Sequence, residues 1–237
     1  VGAHEVLIET PDHEATLSTL PVGHVENLLR AFRERMVELK KDRRFKYVLL
    51  FKNEGEVAGA SLEHSHSQLI AMPIIPALVR EEMEGARRHY DYKERCIFCD
   101  IVRQELDAAV RVILETRFFL AVAPYAPRVP FETWILPKQH ESHYDIDYEG
   151  KSADLAEALQ NVLRRIDKTL DAPPYNFVVH TSPFTNEVND FYHWHLEIMP
   201  KLTRLAGFEW GSGFHINPTP PEEAARWRAR LVREDDA

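Results

Sequence analysis

Hydrophobic residues along the chain follow two spacings, and each spacing predicts one kind of secondary structure. In one segment they recur every three or four residues, which places them on one side of a helix: Leu155, Leu159, Leu163, Ile166 and Leu170. Elsewhere short apolar runs are bounded by prolines and polar loops, which predicts strands. Such a run is Tyr175–His180. Helices interspersed with strands indicate an α+β fold.

The second half of the chain shows one order of predicted elements. Strands at Arg117–Ala123 and Glu132–Leu136 precede a turn that contains Pro137 and His140. An amphipathic helix, the strand Tyr175–His180 and a polar loop follow. The segment His193–Pro200 then predicts the last strand.

The first half repeats this order. A strand at Glu5–Glu9 leads into a turn with Pro11 and His13, and a helix with an apolar stripe follows. The strand Lys46–Phe51, a glycine-containing loop and the strand His64–Pro73 complete the half. The same order in both halves predicts a tandem duplication, with one unit at 1–90 and a second at 91–237. We expect antiparallel sheets with helices packed on one side.

The spacing of histidines supports the duplication. His64 follows His13 by 51 residues, and His193 follows His140 by 53. The second unit opens with a Cys-x-x-Cys pair and a strand, for which the first unit has no room ahead of His13. We therefore expect that the chain is a fragment or a truncated product.

Composition excludes several classes of protein. The 237 residues include 29 Lys and Arg against 38 Asp and Glu, a net charge of −9, which argues against a general nucleic-acid-binding protein. No apolar run approaches the roughly 20 residues that span a bilayer, so a membrane protein is not expected. Two cysteines argue against a disulfide-stabilised secreted scaffold.

Cys96 and Cys99, together with His140 and His193, form a candidate zinc site. Two thiolates and two imidazoles suit a tetrahedral Zn²⁺, and four protein ligands indicate a structural role. Two interpretations compete with this one: Cys-x-x-Cys is also typical of redox sites and of buried thiols.

A different metal site would use His193 as well. Glu82 and His180, with His193 and His195, would supply three nitrogens and one oxygen. We rank this alternative second because the cysteines are present.

The sharpest motif is His64-Ser65-His66-Ser67-Gln68. Alternate residues of a strand share a face, so we expect His64, His66 and Gln68 to point the same way. A neutral imidazole is a competent nucleophile near pH 7, and an amide donates hydrogen bonds to a phosphate without adding negative charge. The motif therefore predicts phosphate chemistry with a histidine nucleophile.

The loop ahead of this motif is a candidate phosphate-binding segment. It contains the small residues Gly59 and Ala60, whose backbone N–H groups can approach an anion, and the polar side chains of Asn53 and Ser61. An ordinary polar turn is the competing interpretation. In the second half Glu197 replaces Gln68, and a carboxylate repels phosphate. We therefore expect the first half to carry the chemistry.

Together, these residues resemble those of galactose-1-phosphate uridylyltransferases, which belong to the histidine-triad superfamily. The similarity covers residues 1–223 and rests on seven segments: Thr10–His13, Phe51–Asn53, Ala58–Ser61, His64–Gln68, Cys96–Asp100, His193–His195 and Ala206–Glu209. It implies two histidine-triad-like units and a cytoplasmic homodimer whose active sites draw on both subunits.

The resemblance also implies residue roles. His66 attacks the α-phosphate of UDP-glucose, and the uridylyl-histidine intermediate then passes UMP to galactose 1-phosphate. Gln68 steadies the phosphate, while Asn53, Gly59, Ala60 and Ser61 line the phosphates. Phe208 and Glu209 lie near the hexose. His13 and His64 bind zinc with two cysteines from a segment upstream of this chain.

Three functions stay open at the level of sequence. The first is nucleotidyl transfer between UDP-hexose and hexose 1-phosphate. The second is phosphorolysis or hydrolysis of a nucleotide, as in ADP-sugar phosphorylases. Hydrolases of the superfamily carry a third histidine at the position of Gln68, whereas a phosphorylase keeps the glutamine. The third is a non-catalytic, zinc-stabilised nucleotide-binding module.

Overall fold

A computed structural model describes residues 1–144, 150–184, 189–204 and 206–230, with the side chains of 228–230 left out. The described residues form eight strands and six α-helices. The strands are β1 (Ala3–Ile8), β2 (Tyr47–Glu54), β3 (His66–Met72), β4 (Val112–Glu115), β5 (Phe119–Val122), β6 (Thr133–Pro137), β7 (Tyr175–His180) and β8 (His195–Pro200). The helices are α1 (Val22–Lys40), α2 (Ala77–Lys93), α3 (Ile97–Ala108), α4 (Lys151–Leu170), α5 (Gly207–Ser212) and α6 (Pro221–Arg230).

All eight strands belong to one antiparallel sheet, in the order β1-β3-β2-β7-β8-β6-β5-β4. The two halves of the chain meet in the middle, where β2 pairs with β7 and Phe51 lies opposite Val178. The α+β class and the antiparallel pairing predicted from the sequence are confirmed. The division at residue 90 stays a prediction, because one sheet runs through both halves.

Helices α1 and α4 cover one face of the sheet with the predicted apolar stripes. Leu28, Phe32 and Met36 of α1 and Leu159 and Leu163 of α4 are buried in one large core that includes inward-facing residues of the central strands. Spacing of three or four residues gives each helix one such face, and packing of that face supplies most of its stability.

A second, smaller core lies over the other half of the sheet. Ala86 of α2 and Phe98 and Val102 of α3 pack there against Leu120 and Leu136. The expectation placed helices on one side only, whereas α2 and α3 add a partial layer on the opposite side. Only Val79 and Ala86 of α2 are buried. Helix α2 therefore has no long apolar stripe from which it could be predicted. The remainder of that face, over β1, β3 and β2, holds the candidate site.

No helix within the described ranges is long and apolar enough to cross a bilayer.

Replacing Leu163 with alanine tests the larger core. Leu163 is fully buried, and removing three methylene-sized groups from such a position costs about 2–5 kcal/mol of unfolding free energy. Urea unfolding of Leu163→Ala against Leu106→Ala, at a partly exposed position on α3, measures the difference. Equal midpoints for the two variants would contradict the proposed packing of α4.

Candidate active site and metal centres

The two cysteines and two histidines predicted to bind zinc lie together. Cys96 directly precedes α3, and Cys99 lies in its first turn. The Sγ atom of Cys99 is 3.4 Å from Nδ1 of His140 and 3.6 Å from Nδ1 of His193. The four ligand atoms all lie within 4.8 Å of one another. In a tetrahedral zinc site, sulfur and nitrogen ligands are separated by about 3.6 Å, so this spacing fits the ion.

A hydrogen bond orients His193 toward the cysteines. Its Nε2 lies 3.0 Å from the carbonyl oxygen of Pro137. Because a carbonyl only accepts, Nε2 carries the proton and Nδ1 presents its lone pair toward Cys99. Outer hydrogen bonds of this kind fix the tautomer of metal-ligating histidines.

The charges of the site also favour a cation. Hydrogen bonding from Cys99 and from the two histidines lowers the pKa of the Cys96 thiol. The neighbouring Cys96 raises the pKa of Cys99, because two adjacent thiolates repel each other. The same thiolate raises the pKa of His140. A bound divalent cation removes the repulsion between the two sulfurs, so the donor set fits Zn²⁺.

In the first half, His13 and His64 form a pair in which His64 is oriented by a backbone carbonyl, as His193 is in the second half. Their Nδ1 atoms are 3.1 Å apart, and Nε2 of His64 lies 2.6 Å from the carbonyl oxygen of Thr10. That carbonyl fixes Nδ1 of His64 as the free ring nitrogen, as Pro137 does for His193. His64 precedes β3 and turns toward His13. The expectation that it shares the strand face with His66 and Gln68 was therefore wrong, because regular alternation begins only at His66.

A second cluster of possible ligands surrounds His180. Its Nδ1 is 3.0 Å from Glu82, its Nε2 is 3.0 Å from Glu197, and its ring stacks on His195 with centroids 4.5 Å apart. Nε2 of His195 is 3.6 Å from Glu82. His193 is held by the cysteine cluster instead, so the alternative four-ligand set divides between the two places.

The cluster is charged and internally paired. Burial alone lowers the pKa of His180, but hydrogen bonds to Glu197 and Glu82 outweigh burial and raise it to about 9. Burial and the cationic His180 lower the pKa of His195 to about 4. Arg128 contacts Glu197 at 2.5 and 2.6 Å. The negative charges of Glu82 and Glu197 are therefore balanced by the positive charges of His180 and Arg128.

His66 is placed as a nucleophile with its lone pair on Nε2. Its Nδ1 lies 2.8 Å from the carbonyl oxygen of His64, so Nδ1 donates and Nε2 keeps the lone pair. Within the described chain no other hydrogen bond reaches the His66 ring. The residue is 2% exposed, so a substrate reaches the ring only if neighbouring groups move.

Gln68 has a partner that sequence reasoning missed. Nε2 of His4 lies 2.8 Å from Oε1 of Gln68. From the sequence alone His4 is an ordinary surface histidine, yet β1 pairs with β3 so that His4 lies opposite Ile70, two residue pairs from Gln68 and on the same face. With its oxygen engaged by a ring N–H, Gln68 has its amide NH₂ group left as a donor.

An open cavity of about 450 Å³ lies on this sheet face. Asn53, Phe51 and Ile70 line it, and Phe51 is the register partner of Gln68. The floor is mostly apolar, and Asn176, which sequence analysis did not single out, also borders it.

Asn53 is occupied by structural hydrogen bonds. Its Nδ2 donates to the carbonyl of Gly59 at 3.3 Å, and its Oδ1 accepts from Asn176 at 2.8 Å. Gly59 has a φ of +90°, in the region that favours glycine, so the loop closes back on the strand. Asn53 thus shapes the loop with one Nδ2 hydrogen and its Oδ1, and its second Nδ2 hydrogen is left for another acceptor.

Ala60 and Ser61 line a separate cavity of about 550 Å³. Glu54, Glu56 and Glu63 border the same cavity. Acidic residues beside this cavity disfavour a phosphate, and the role of Ala60 and Ser61 in lining phosphates stays a prediction.

Phe208 and Glu209 lie on α5 at the protein surface. The Phe208 side chain is 56% exposed, and Oε2 of Glu209 accepts from the backbone N–H of Ala206 at 3.0 Å. The role of these two residues near a hexose stays a prediction.

Sequence comparison places this arrangement in a known family. Residues 1–76 match the profile of the galactose-1-phosphate uridyl transferase N-terminal domain, and residues 82–216 match that of the C-terminal domain. The chain belongs to this family.

Two relatives of the family differ in named activity. An ADP-glucose phosphorylase of Arabidopsis thaliana is 39% identical over 228 residues, which are 95% of this chain and 63% of that protein. A galactose-1-phosphate uridylyltransferase of Thermotoga maritima is 34% identical over 233 residues, 95% of this chain and 73% of the relative. The chain thus spans less than two thirds of the plant protein and about three quarters of the bacterial one.

A crystal structure within the family shares the fold. The ADP-glucose phosphorylase of Arabidopsis thaliana with bound ADP-glucose superimposes with a TM-score of 0.90 at 37% identity. The match covers 96% of this chain and 73% of the plant chain.

Metal analysis tests the cysteine centre. We expect about one zinc per purified chain and loss of that zinc in Cys99→Ser, because three ligands hold the ion less tightly than four. Elemental analysis with thermal unfolding before and after chelation measures both the content and the stabilisation. Zinc that survives Cys99→Ser but disappears in His180→Gln would place the metal at the His180 cluster instead.

Proposed function

We propose that the chain carries a sugar-nucleotide nucleotidyltransferase centre in which His66 is the nucleophile. The single observation that carries the proposal is the hydrogen bond from Nδ1 of His66 to the His64 carbonyl at 2.8 Å. It leaves the Nε2 lone pair for attack on phosphorus. Membership of a family that includes transferases and phosphorylases acting on sugar nucleotides supports the same chemistry.

The proposed reaction has two steps. Nε2 of His66 attacks the α-phosphorus, a nitrogen–phosphorus bond forms, and the bond from phosphorus to the bridging oxygen breaks to release a sugar 1-phosphate. A phosphate oxygen of the acceptor then attacks the same phosphorus, and the nitrogen–phosphorus bond breaks. His66 recovers its lone pair, so the imidazole acts as a covalent catalyst.

Gln68 stabilises the phosphoryl group in this scheme. His4 holds its oxygen, so its NH₂ group is available to donate to a non-bridging oxygen of the transferred phosphate. A neutral donor suits this place because the phosphate already carries negative charge. Zinc at Cys96, Cys99, His140 and His193 would stabilise the fold and supply no open coordination position.

The second half lacks these features. His195 has the matching contact from Nδ1 to the His193 carbonyl at 3.3 Å, but its Nε2 faces Glu82. Glu197, at the place of Gln68, is bonded to His180 and Arg128. A phosphate beside these carboxylates would be repelled, so one centre per chain is proposed.

Two reactions use this centre, and they differ in nucleotide and acceptor. The first transfers UMP from UDP-glucose to galactose 1-phosphate, as in galactose metabolism. The second transfers AMP from ADP-glucose to inorganic phosphate, and it is favoured by the 39% identity with the plant ADP-glucose phosphorylase. A homodimer whose active sites draw on both subunits, with Phe208 and Glu209 near the hexose, remains our expectation for either reaction.

Covalent labelling tests the proposal. Incubation with UDP-glucose or ADP-glucose labelled in the α-phosphate should leave acid-labile label on the zinc-loaded chain, and His66→Asn should abolish it. His195→Asn is the matched control in the second half and should keep the label. A folded, metal-loaded chain that takes no label from either donor would favour the non-catalytic nucleotide-binding module.

The acceptor distinguishes the two reactions. Release of UDP-galactose on addition of galactose 1-phosphate identifies the uridylyltransferase, whereas release of ADP on addition of inorganic phosphate identifies the phosphorylase. Turnover with water alone would indicate a hydrolase and contradict both.

Gln68→Glu should slow labelling by about 10²–10³-fold, because loss of one stabilising donor of this kind costs that much. The variant keeps the size of the side chain, and its carboxylate repels the phosphate. Stopped-time labelling measures the rate. An unchanged rate would remove Gln68 from the site.

A further inference from the structure

The first half buries an ion pair that the proposed mechanism does not use. The Lys52 side chain is 1% exposed and that of Glu9 is fully buried, with Nζ 2.8 Å from Oε2. Glu54 adds a second carboxylate 2.9 Å from Nζ. Desolvating two charges is costly, and apolar residues of similar size often stabilise a core as well or better. The pair therefore calls for a reason other than stability.

The pair is bonded to the strand that carries His66. Oε2 of Glu9 accepts from Ser65 Oγ at 2.5 Å, and Oε1 accepts from Ser67 Oγ at 2.5 Å. Nζ of Lys52 donates to Ser65 Oγ at 3.0 Å and to the backbone carbonyl of His66 at 3.3 Å. The backbone N–H of Glu9 also donates to the carbonyl of Ser65 at 3.1 Å. Every one of these contacts reaches residues 65–67.

The Lys52–Glu9 ion pair lies on the sheet face opposite the His66 ring. Ser67 alternates with His66 along β3 and therefore points to the face opposite the His66 ring. Ser65 precedes the strand, and its hydroxyl is reached by the same Glu9 and Lys52 side chains. The ion pair therefore holds the backbone on both sides of His66 without a hydrogen bond to its ring.

The second half shows that a strand of this kind folds without two such hydroxyls. Trp194 and Leu196 stand where Ser65 and Ser67 stand, and both are buried in the large core. The Trp194 indole donates to Glu141 at 3.2 Å, while the Leu196 side chain has no polar group to donate. The half that keeps both serines is the half with the proposed nucleophile.

We propose that Glu9, Lys52, Ser65 and Ser67 form a positioning clamp for His66. The clamp fixes the His66 backbone, and with it the contact from Nδ1 to the His64 carbonyl, so that Nε2 meets the phosphorus in one orientation. The inference rests on the proposed function and adds residues that position the nucleophile. Small displacements of a reacting atom are costly, about 10²-fold in rate for 1 Å.

Two variants disrupt the clamp without leaving a fully buried charge alone, since the side chain of Glu54, the other partner of Lys52, is 26% exposed. Ser67→Ala deletes one hydroxyl, and Glu9→Leu with Lys52→Met removes both charges together. Glu105→Leu with Arg111→Met is the matched control. That pair is also buried, at 2.7 Å, and lies beside β4 at the opposite edge of the sheet from β1.

The readouts are the single-turnover rate of His66 labelling, the Kd of the sugar nucleotide and the folded fraction from urea unfolding. For both clamp variants we expect labelling to slow by about 10–10²-fold with Kd changed less than twofold, since positioning acts on the reacting atom. The control should label at the wild-type rate. Folded clamp variants that label at the wild-type rate, or an equal loss in the control, would overturn the clamp.

Nuclear magnetic resonance separates failure of the clamp from failure of the proposed function. Long-range ¹H–¹⁵N correlation reports the tautomer of His66, assigned by the signal missing in His66→Asn, without any substrate. We expect one Nδ1–H tautomer in the wild-type chain and a mixture or exchange broadening in the clamp variants. An unchanged single tautomer in folded variants would refute the clamp even if the wild-type chain took no label.

Discussion

A hydrogen bond from one ring nitrogen to a backbone carbonyl determines what the other nitrogen of a histidine can do. Four histidines of the candidate sites follow that rule. His64 and His193 use Nε2 for the carbonyl, which turns Nδ1 toward a second histidine or a thiol. His66 and His195 use Nδ1, which leaves Nε2 at the sheet face. In our proposal, histidines of one tautomer bind the metal and a histidine of the opposite tautomer attacks the phosphorus.

The two halves share the arrangement of strand and histidine but differ in the side chains that surround the histidine. In the first half, Nε2 of His66 has a neutral amide two residues along the strand. In the second, Nε2 of His195 faces Glu82, and Glu197 replaces the amide. The charges around His180 are satisfied internally by Arg128 and the two glutamates. In the proposed scheme the second half therefore carries no reactive centre, because replacing a neutral amide by a carboxylate adds a negative charge beside the histidine.

Much of the fold follows from the sequence. Stripes such as Leu28, Phe32 and Met36 predicted α1, and apolar runs between prolines predicted β5 to β8, because periodicity directly records which face is buried. Helix α2 escaped prediction, since only two of its residues are buried. The merging of both halves into one sheet depends on the pairing of β2 with β7, which no local pattern encodes.

The site was predictable where ligand chemistry fixes residue type and spacing. The cysteine cluster was of this kind, and its four ligands lie together. The His4 contact with Gln68 was not, because strand pairing brings together residues 64 positions apart. The acidic surroundings of Ala60 and Ser61 could not be predicted either. Glu54, Glu56 and Glu63 border the same cavity only because the loop folds back on the strand.

The most direct test of this account is the position of the nitrogen–phosphorus bond after reaction with a labelled sugar nucleotide. Peptide mapping with ³¹P spectroscopy distinguishes phosphate on Nε2 from phosphate on Nδ1. The proposed attack through Nε2 predicts a phosphoramidate at Nε2 of His66, because Nδ1 donates its hydrogen to the His64 carbonyl. A phosphoramidate at Nδ1, or at another histidine, would contradict it.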